Sequence, residues 1–466
     1  MQSITVKELV AAVRGTLVRG SESAVIRAVS TDSRTVREGE LFIPVKGERF
    51  DGHDYIESAL QNGAAGCLFR AEREPEKKVA DKIYIAVDDP LLALKRLGIH
   101  YRDRADIPFI QITGSVGKTT TKEMVAGMLA GQFCTIKTEG NFNSDLGVPK
   151  TMLELTGEHE VAVIETGMDH FGEIRYLGEI VKPQIAVITN VGDVHAEFLG
   201  GTREGVFRAK CEIFENLAPD GVAILNGDDA LLNTVTLPQR IVRCGRSEHC
   251  DVRIRSVETN GLSGIACRIE TARSSYALRI AVPGEHVAYS AAIAVAVAGE
   301  LGMRHDAIVA GIEDFGSPDK RMEVVHLARG RVMINDSYNA NPQSMAAALR
   351  VLAQADTARH IAFLGDMKEL GGTTEAGHRE IARLIAALQL DEVLCIGPFC
   401  KAYLADELEK AGGTKVTWYP GREEAYPDLV KAFGENTALL IKGSHFANRL
   451  DLAADYLREY PFEGKR

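Results

Sequence analysis

The run Gly114-Ser115-Val116-Gly117-Lys118-Thr119-Thr120 carries the plainest chemistry in this chain, entered through Thr113 at the end of the apolar segment IPFIQITG (107–114). Glycines let backbone N–H groups turn toward an anion, and a following helix N-terminus adds its dipole. Lys118 then reaches terminal phosphates, and the Thr119 hydroxyl can ligate Mg2+. The longer phosphate-loop pattern also asks for glycine where this chain has Ile112, so the match is to the shorter GxxGKT form. No NKxD or TKxD guanine-reading motif follows, which favours ATP over GTP.

A nucleotide of this kind works with a divalent cation held by hard oxygen or imidazole ligands. Two residues stand just past strand-like segments downstream of the loop: Glu165 in VIETGMD and His195 in ITNVGDVHAEFLG. Alone, Glu165 reads equally as a capping carboxylate and His195 as a loop histidine. Their common position past strand ends, where a Mg–ATP terminus would sit, points toward metal ligation. Lys210, in FRAKCEIF, reads on its own as a solvated helix residue.

These residues need a scaffold, and the strand-like runs supply one. Besides 107–114 they are VAVIETG (161–167), IAVITNVG (185–192), GVAILNGDD (221–229), VMINDS (332–337), HIAFLGD (360–366), EVLCIG (392–397) and ALLIKGS (438–444). Helix-period segments such as TTKEMVAGMLAG and TEAGHREIARLIAAL lie between many of them, so the fold class is α/β with parallel sheets covered on both faces. Ligands bind beyond the carboxyl ends of such strands, which puts Gly117, Glu165, Asn190, Asp336, Asp366 and Lys442 on candidate functional edges. For each of them helix capping or turn chemistry is the competing reading.

With 466 residues the chain exceeds what one core usually organises. Turn-like segments place cuts near 85 and 315, giving units 1–84, 85–314 and 315–466. The net charge of −11 excludes a general nucleic-acid binder, which needs a basic field to release counterions. Eight cysteines without a CxxC pair read as reduced packing thiols. The N-terminus MQSITVKELVAAVRG lacks the apolar core of a signal peptide. The longest apolar run, AAIAVAVAG from Ala291, is too short for a bilayer, so a cytoplasmic protein without membrane insertion is expected.

Taken together in order, these motifs resemble the Mur ligases over nearly the whole chain. STDSRTVREGELFIPVKGERFDGHDYIESALQNGAAG (30–66) looks like that family's N-terminal UDP-sugar domain, and TGSVGKTTTKEM like its ATP loop. GNFNSDLGVPKTML (140–153), ETGMDHFGEI, TNVGDVHAEFLG, AKCEIF, DSYNANPQSM (336–345) and LGDMKELG (364–371) follow in family order. The resemblance implies three domains, with a central P-loop ATPase-type parallel sheet and a Rossmann-like C-terminal domain closing over ATP. It is strongest for the member that joins D-alanyl-D-alanine to the terminal carboxylate of UDP-MurNAc-tripeptide, which implies ATP, two Mg2+ and a monomer.

Residue by residue, the resemblance implies one Mg2+ at Thr119 and Glu165 and a second at His195. Lys210 matches a lysine that several members carry as a carbamate, whose anionic oxygens would reverse the repulsion between an ammonium and Mg2+. Arg321, Asp336 and Asn339 match positions near ATP, beside the loop residues Thr113 to Thr120. Ser33, Arg34 and Lys46 are expected at the UDP moiety, supported by the turn residues Asp51, Gly52 and His53. Asn141, Asn143, Thr166 and Asn341 are expected to face the sugar-peptide. Departures exist: Val287 and Ser290 replace asparagines usual in the family, Ser144 replaces another, and His445 stands where arginine is commoner. A single-amino-acid Mur ligase, a folylpolyglutamate synthetase and a regulatory P-loop NTPase remain as other readings.

Overall fold

The computed structural model describes residues 1–47, 50–76 and 78–462, except the side chains of His445 and Phe446. Among the described residues, three large sheets organise the chain, beside a small antiparallel pair of Ile4–Thr5 with Val25–Ile26. The first has five strands in the order Thr16–Arg19, Ile83–Val87, Gly66–Arg70, Glu40–Phe42 and Ala28–Ser30, all parallel except Thr16–Arg19. The third has six, in the order Glu323–Leu327, Arg331–Asn335, Thr437–Lys442, Arg359–Gly365, Glu392–Ile396 and Lys415–Tyr419, with only Glu323–Leu327 antiparallel.

Between them lies a nine-stranded sheet. Phe109–Thr113 sits in its interior, parallel to Val161–Glu165 on one side and to Ile185–Ile188 on the other. After Phe109–Thr113 the chain builds one flank (Thr135–Lys137, Val161–Glu165), then crosses to the other (Ile185–Ile188, Val222–Asn226). The carboxyl end of Phe109–Thr113 is therefore the topological switch point, where open α/β sheets leave a crevice. The phosphate loop occupies it.

All eight strand-like runs read from the sequence are strands, and the architecture is three-domain α/β. One part was not anticipated. Val252–Thr259, Ile265–Glu270 and Ser275–Ile280 extend the central sheet as an antiparallel meander. Ser275–Ile280 alternates exposed and buried residues, as a strand covered on one face does. The run from Ala291 lies inside the helix Val287–Glu300, buried around almost its whole circumference between this extension and the helix Lys118–Ala130. Burying each of its Val and Ile side chains contributes about 2 kcal/mol, which explains a helix apolar on all sides. Among the described residues no helix is long and apolar enough to cross a membrane. All eight cysteines are free thiols, most of them buried.

Candidate active site

The phosphate loop is held by its neighbours before any ligand arrives. Gly114 adopts φ +154°, and a Cβ there would lie 1.9 Å from Thr189 Oγ1, so only glycine fits. Thr189 Oγ1 donates to the Val116 carbonyl at 2.6 Å. Asn190 Oδ1 accepts from the N–H groups of Ser115 (3.1 Å) and Val116 (2.9 Å). Gly117 (φ +81°) caps the helix Lys118–Ala130 with open space around its Cα, and the first N–H groups of that helix lack intrahelical acceptors. These donors and the helix dipole form an anion cradle. Lys118 Nζ folds back onto the Gly114 carbonyl at 2.8 Å. Burial and the Arg321 charge lower its pKa, while Glu165 raises it.

The cradle opens into a cavity of about 1740 Å3, walled by the central sheet on one side and the C-terminal sheet on the other. Ser115, Val116, Gly117, Lys118, Thr119, Thr120, Glu165, His195 and Lys210 line it from the central side, with Asn141 and Asn143. Arg321, Asp336, Asn339 and Asn341 line it from the C-terminal side. The structure thus brings together residues spread over more than two hundred positions.

Parallel pairing of Glu165 with Ile112 carries the Glu165 carboxylate past the strand end beside the loop. Its Oε1 accepts from Asn143 Nδ2 at 2.9 Å, whereas Oε2 is buried without a hydrogen-bond partner. An orphaned carboxylate oxygen is costly unless a cation completes it. With the buried Thr119 hydroxyl in the same cavity, this hard-oxygen set fits Mg2+. His195 (φ +63°) starts a short 3-10 turn, with Nδ1 at 3.0 Å from both Asp169 Oδ1 and Glu369 Oε2. The His195 ring beside it holds the Glu369 carboxyl below the usual range, against the effect of burial. Asp169 and Glu369 were not singled out from sequence. Glu369 lies in LGDMKELG and Asp169 in ETGMDHFGEI, so position within the motifs was the available signal.

Lys210 sits in the last turn of the helix Arg203–Cys211 at 2% exposure, and its side chain has no hydrogen bond or ion pair among the described residues. Burial, and then the charge of Lys118, drive its pKa well below the ordinary lysine value. Both effects weaken the charged form of the lysine there. The solvated-helix reading of Lys210 does not hold.

On the facing wall Asp336 is saturated. Its Oδ2 accepts from Lys442 Nζ at 2.5 Å and its Oδ1 from the Met322 N–H at 3.1 Å, and Lys442 also donates to the Asn339 carbonyl at 2.9 Å. Arg321 stacks 4.0 Å over the Tyr338 ring, between Lys320 (φ +57°) and Met322 (φ +52°). Two left-handed non-glycine residues cost about 1 kcal/mol each or more, a strain that fixes where Arg321 projects.

Several expected residues do other work. Asn341 lines the cavity, but its amide oxygen caps the helix Pro342–Leu352 in a box with Ser344. Thr166 is fully buried and its hydroxyl accepts from Gln111 Nε2 at 3.2 Å; strand alternation turns it away from the side Glu165 faces. Thr113 and Gly114 lie beneath the loop rather than on the cavity wall, and Asp366 is buried, accepting from the Cys400 N–H at 2.8 Å. Asn190 serves as the loop's organiser. Ser33 is buried and Arg34 is exposed, paired with Asp32 at 2.7 Å. Lys46 forms an isolated bridge with Asp51, whose side chain caps the turn beginning at Gly52 by accepting from the His53 N–H at 3.0 Å. These N-terminal residues do not line the main cavity; Lys150 Nζ, 2.7 Å from Thr31 Oγ1, ties their unit to the central one. Where asparagines were expected, Ser290 Oγ pairs with Thr121 Oγ1 at 2.9 Å, and Val287 is buried at the start of its helix. Ser144 lines the cavity, and the His445 side chain lies outside the described residues.

Comparison with known proteins agrees with this geometry. The Mur ligase middle domain matches residues 112–298, the Mur ligase glutamate ligase domain residues 320–445, and the Mur ligase family catalytic domain residues 25–102. UDP-N-acetylmuramoyl-tripeptide--D-alanyl-D-alanine ligase of Bacillus subtilis is 34% identical over 459 residues, covering 97% of this chain and 98% of that one. MurF from Acinetobacter baumannii superposes with a TM-score of 0.88 at 33% identity, covering 98% and 100% of the two chains. MurF ligase from Thermotoga maritima, solved with ADP, gives 0.80 at 27% identity over 92% and 96%. The chain belongs to the Mur ligase family.

Proposed function

We propose that this chain is an ATP-dependent ligase that joins D-alanyl-D-alanine to the terminal carboxylate of UDP-MurNAc-tripeptide, a step in peptidoglycan precursor synthesis. The observation that carries the reading is one cavity in which an anion cradle, an orphaned carboxylate oxygen and an unpartnered buried lysine converge. The near full-length likeness to ligases of that name selects the substrates. The substrate carboxylate oxygen attacks the γ-phosphorus of ATP, giving an acyl phosphate and ADP. The dipeptide amine attacks the acyl carbon, and the tetrahedral intermediate collapses to the peptide bond, releasing phosphate and a proton.

Each residue has a physical task. The loop N–H groups and Lys118 hold the phosphates, and a lysine cation neutralises charge as one anion attacks another. Mg2+ held by Thr119 and Glu165, with a second ion at His195, would add to that neutralisation. Reaction of the Lys210 amine with CO2 would give a carbamate and a proton, and its anionic oxygens would suit the corner where Thr119, Glu165 and His195 would hold the ions. Arg321 and Asp336 close over the nucleotide from the C-terminal unit. We assign the units as 1–84 for the UDP-sugar, 85–314 for ATP and 315–466 for closure and the dipeptide, in a monomeric cytoplasmic enzyme.

The test is ADP formation by the purified chain with each substrate omitted in turn. Turnover that requires UDP-MurNAc-tripeptide, D-alanyl-D-alanine and Mg2+ together is expected. Basal ATP hydrolysis indifferent to both substrates would favour a nucleotide switch, and turnover with a single amino acid in place of the dipeptide would favour another Mur-type ligase.

A further inference from the structure

We infer that Lys368 and Glu369, consecutive residues on the C-terminal wall of the cavity, form a clamp for the zwitterionic acceptor peptide, Glu369 taking its ammonium and Lys368 its terminal carboxylate. The inference rests on the ligase reading above. An acceptor with a free amine and a free carboxylate needs one anion near the reacting centre and one cation farther from it. Among the described residues the C-terminal wall carries five charged side chains: Arg321, Asp336, Lys368, Glu369 and Lys442. Lys442 and Asp336 pair with each other, and Arg321, lying over the Tyr338 ring, is assigned above to the nucleotide, which leaves Lys368 and Glu369.

The other two remain partly open, with side-chain exposures of 36% for Lys368 and 41% for Glu369. Glu369 adopts φ +64°, and this unusual backbone directs its carboxylate across the seam to His195, at the reacting end. Asp169 meets the same histidine from the central side, so the ammonium would arrive between two carboxylates. Lys368 points elsewhere. Its Nζ lies 3.2 Å from Asp366 Oδ2 and 4.3 Å over the Phe399 ring, and among the described residues it donates no hydrogen bond. The Asp366 contact engages one side of an ammonium that carries three N–H groups, so donors remain for a second carboxylate. The loop between them is anchored: the Lys368 N–H donates to Ser444 Oγ at 3.1 Å, and Gly371 (φ +53°) packs on the Glu197 backbone across the seam.

The experiment compares kcat/KM for D-alanyl-D-alanine with that for its C-terminal amide, at saturating ATP and UDP-MurNAc-tripeptide. Wild-type enzyme is expected to prefer the free acid about tenfold or more, and Lys368→Ala to reduce that ratio to about twofold or less. Lys368→Arg should restore the preference, and the KM for UDP-MurNAc-tripeptide should not move in either variant. Glu369→Gln should raise the dipeptide KM about tenfold while leaving the acid-to-amide ratio intact. A Lys368→Ala enzyme that keeps the full wild-type ratio overturns the clamp, as does a wild-type enzyme indifferent to amidation. Failure of wild-type enzyme to form ADP with both substrates present overturns the ligase reading itself, and the clamp with it.

Discussion

Lys442 and Lys210 face each other across one cavity, at 1% and 2% exposure, in opposite electrostatic circumstances. Lys442 is the centre of a closed network, with Asp336 at 2.5 Å and the Asn339 carbonyl at 2.9 Å. Among the described residues no carboxylate pairs with Lys210, and the charge that acts on it is another cation, Lys118. Burial penalises both ammonium ions, yet only one is compensated. The C-terminal wall is built to be rigid before ligands arrive. The central wall carries a buried lysine and a carboxylate oxygen that find no partner among the described residues.

The largest expected effect that sharpens this contrast comes from Lys442→Met. It orphans the Asp336 carboxylate and should destabilise the C-terminal unit by about 3 kcal/mol, read from guanidinium unfolding. If that variant unfolds like wild type, the network is not what holds the wall. Next comes Lys210→Ala, whose unfolding should be nearly unchanged while ligase turnover falls about 100-fold, equivalent to roughly 2.7 kcal/mol of barrier. Short carboxylic acids should restore part of that turnover by standing in for the carbamate. Full activity in Lys210→Ala would erase the proposed role.

A smaller effect concerns the seam segment. Burial pushes the Asp451 carboxyl upward, but hydrogen bonds from Arg449 and Lys320 prevail and hold it at about 2. Its folded pKa lies below the unfolded value, so its contribution of about 1–2 kcal/mol is complete above pH ~4 and fades as pH falls toward 2. Asp451→Asn should flatten acid unfolding in that window, and an unchanged profile would assign the acid sensitivity to other carboxylates. The least effect is expected from Ser290→Ala, which removes the buried pair with Thr121 at a cost of about 1 kcal/mol. Its ATP KM tests whether this hydroxyl substitutes for the family asparagine: no change would make Ser290 a packing residue.

The same contrast explains what was legible in the sequence. Strands such as Val161–Glu165 and Thr437–Lys442 are buried apolar runs with polar ends, a pattern that composition alone betrays. The loop from Gly114 to Thr120 announces itself because its function depends on backbone freedom and one cation. The meander from Val252 to Ile280 was overlooked, because its strands are rich in arginine and glutamate and lack the apolar runs that marked the others. At the site, Glu165 and His195 were marked by their position past strand ends, whereas Lys210 was recognised only by family order, since nothing local distinguishes it from a surface lysine. Its isolation is a property of the packed structure. Asn341 shows the reverse case: a motif residue looked like a ligand contact, and helix capping uses its amide oxygen. Asp169 and Glu369 escaped because their meaning lies in a meeting at His195 across the seam, which no single segment records.

The cavity's division between two walls also bears on how the enzyme can be blocked. A compound resting only in the Gly117–Thr119 cradle must compete with cellular ATP and leaves the C-terminal unit free to move. A molecule that grips the cradle and also reaches Lys368 or Glu369 makes its second contact at high effective concentration. Such an inhibitor would work less by occupancy than by splinting, holding the two walls in one fixed relation so that neither product could leave nor substrate enter.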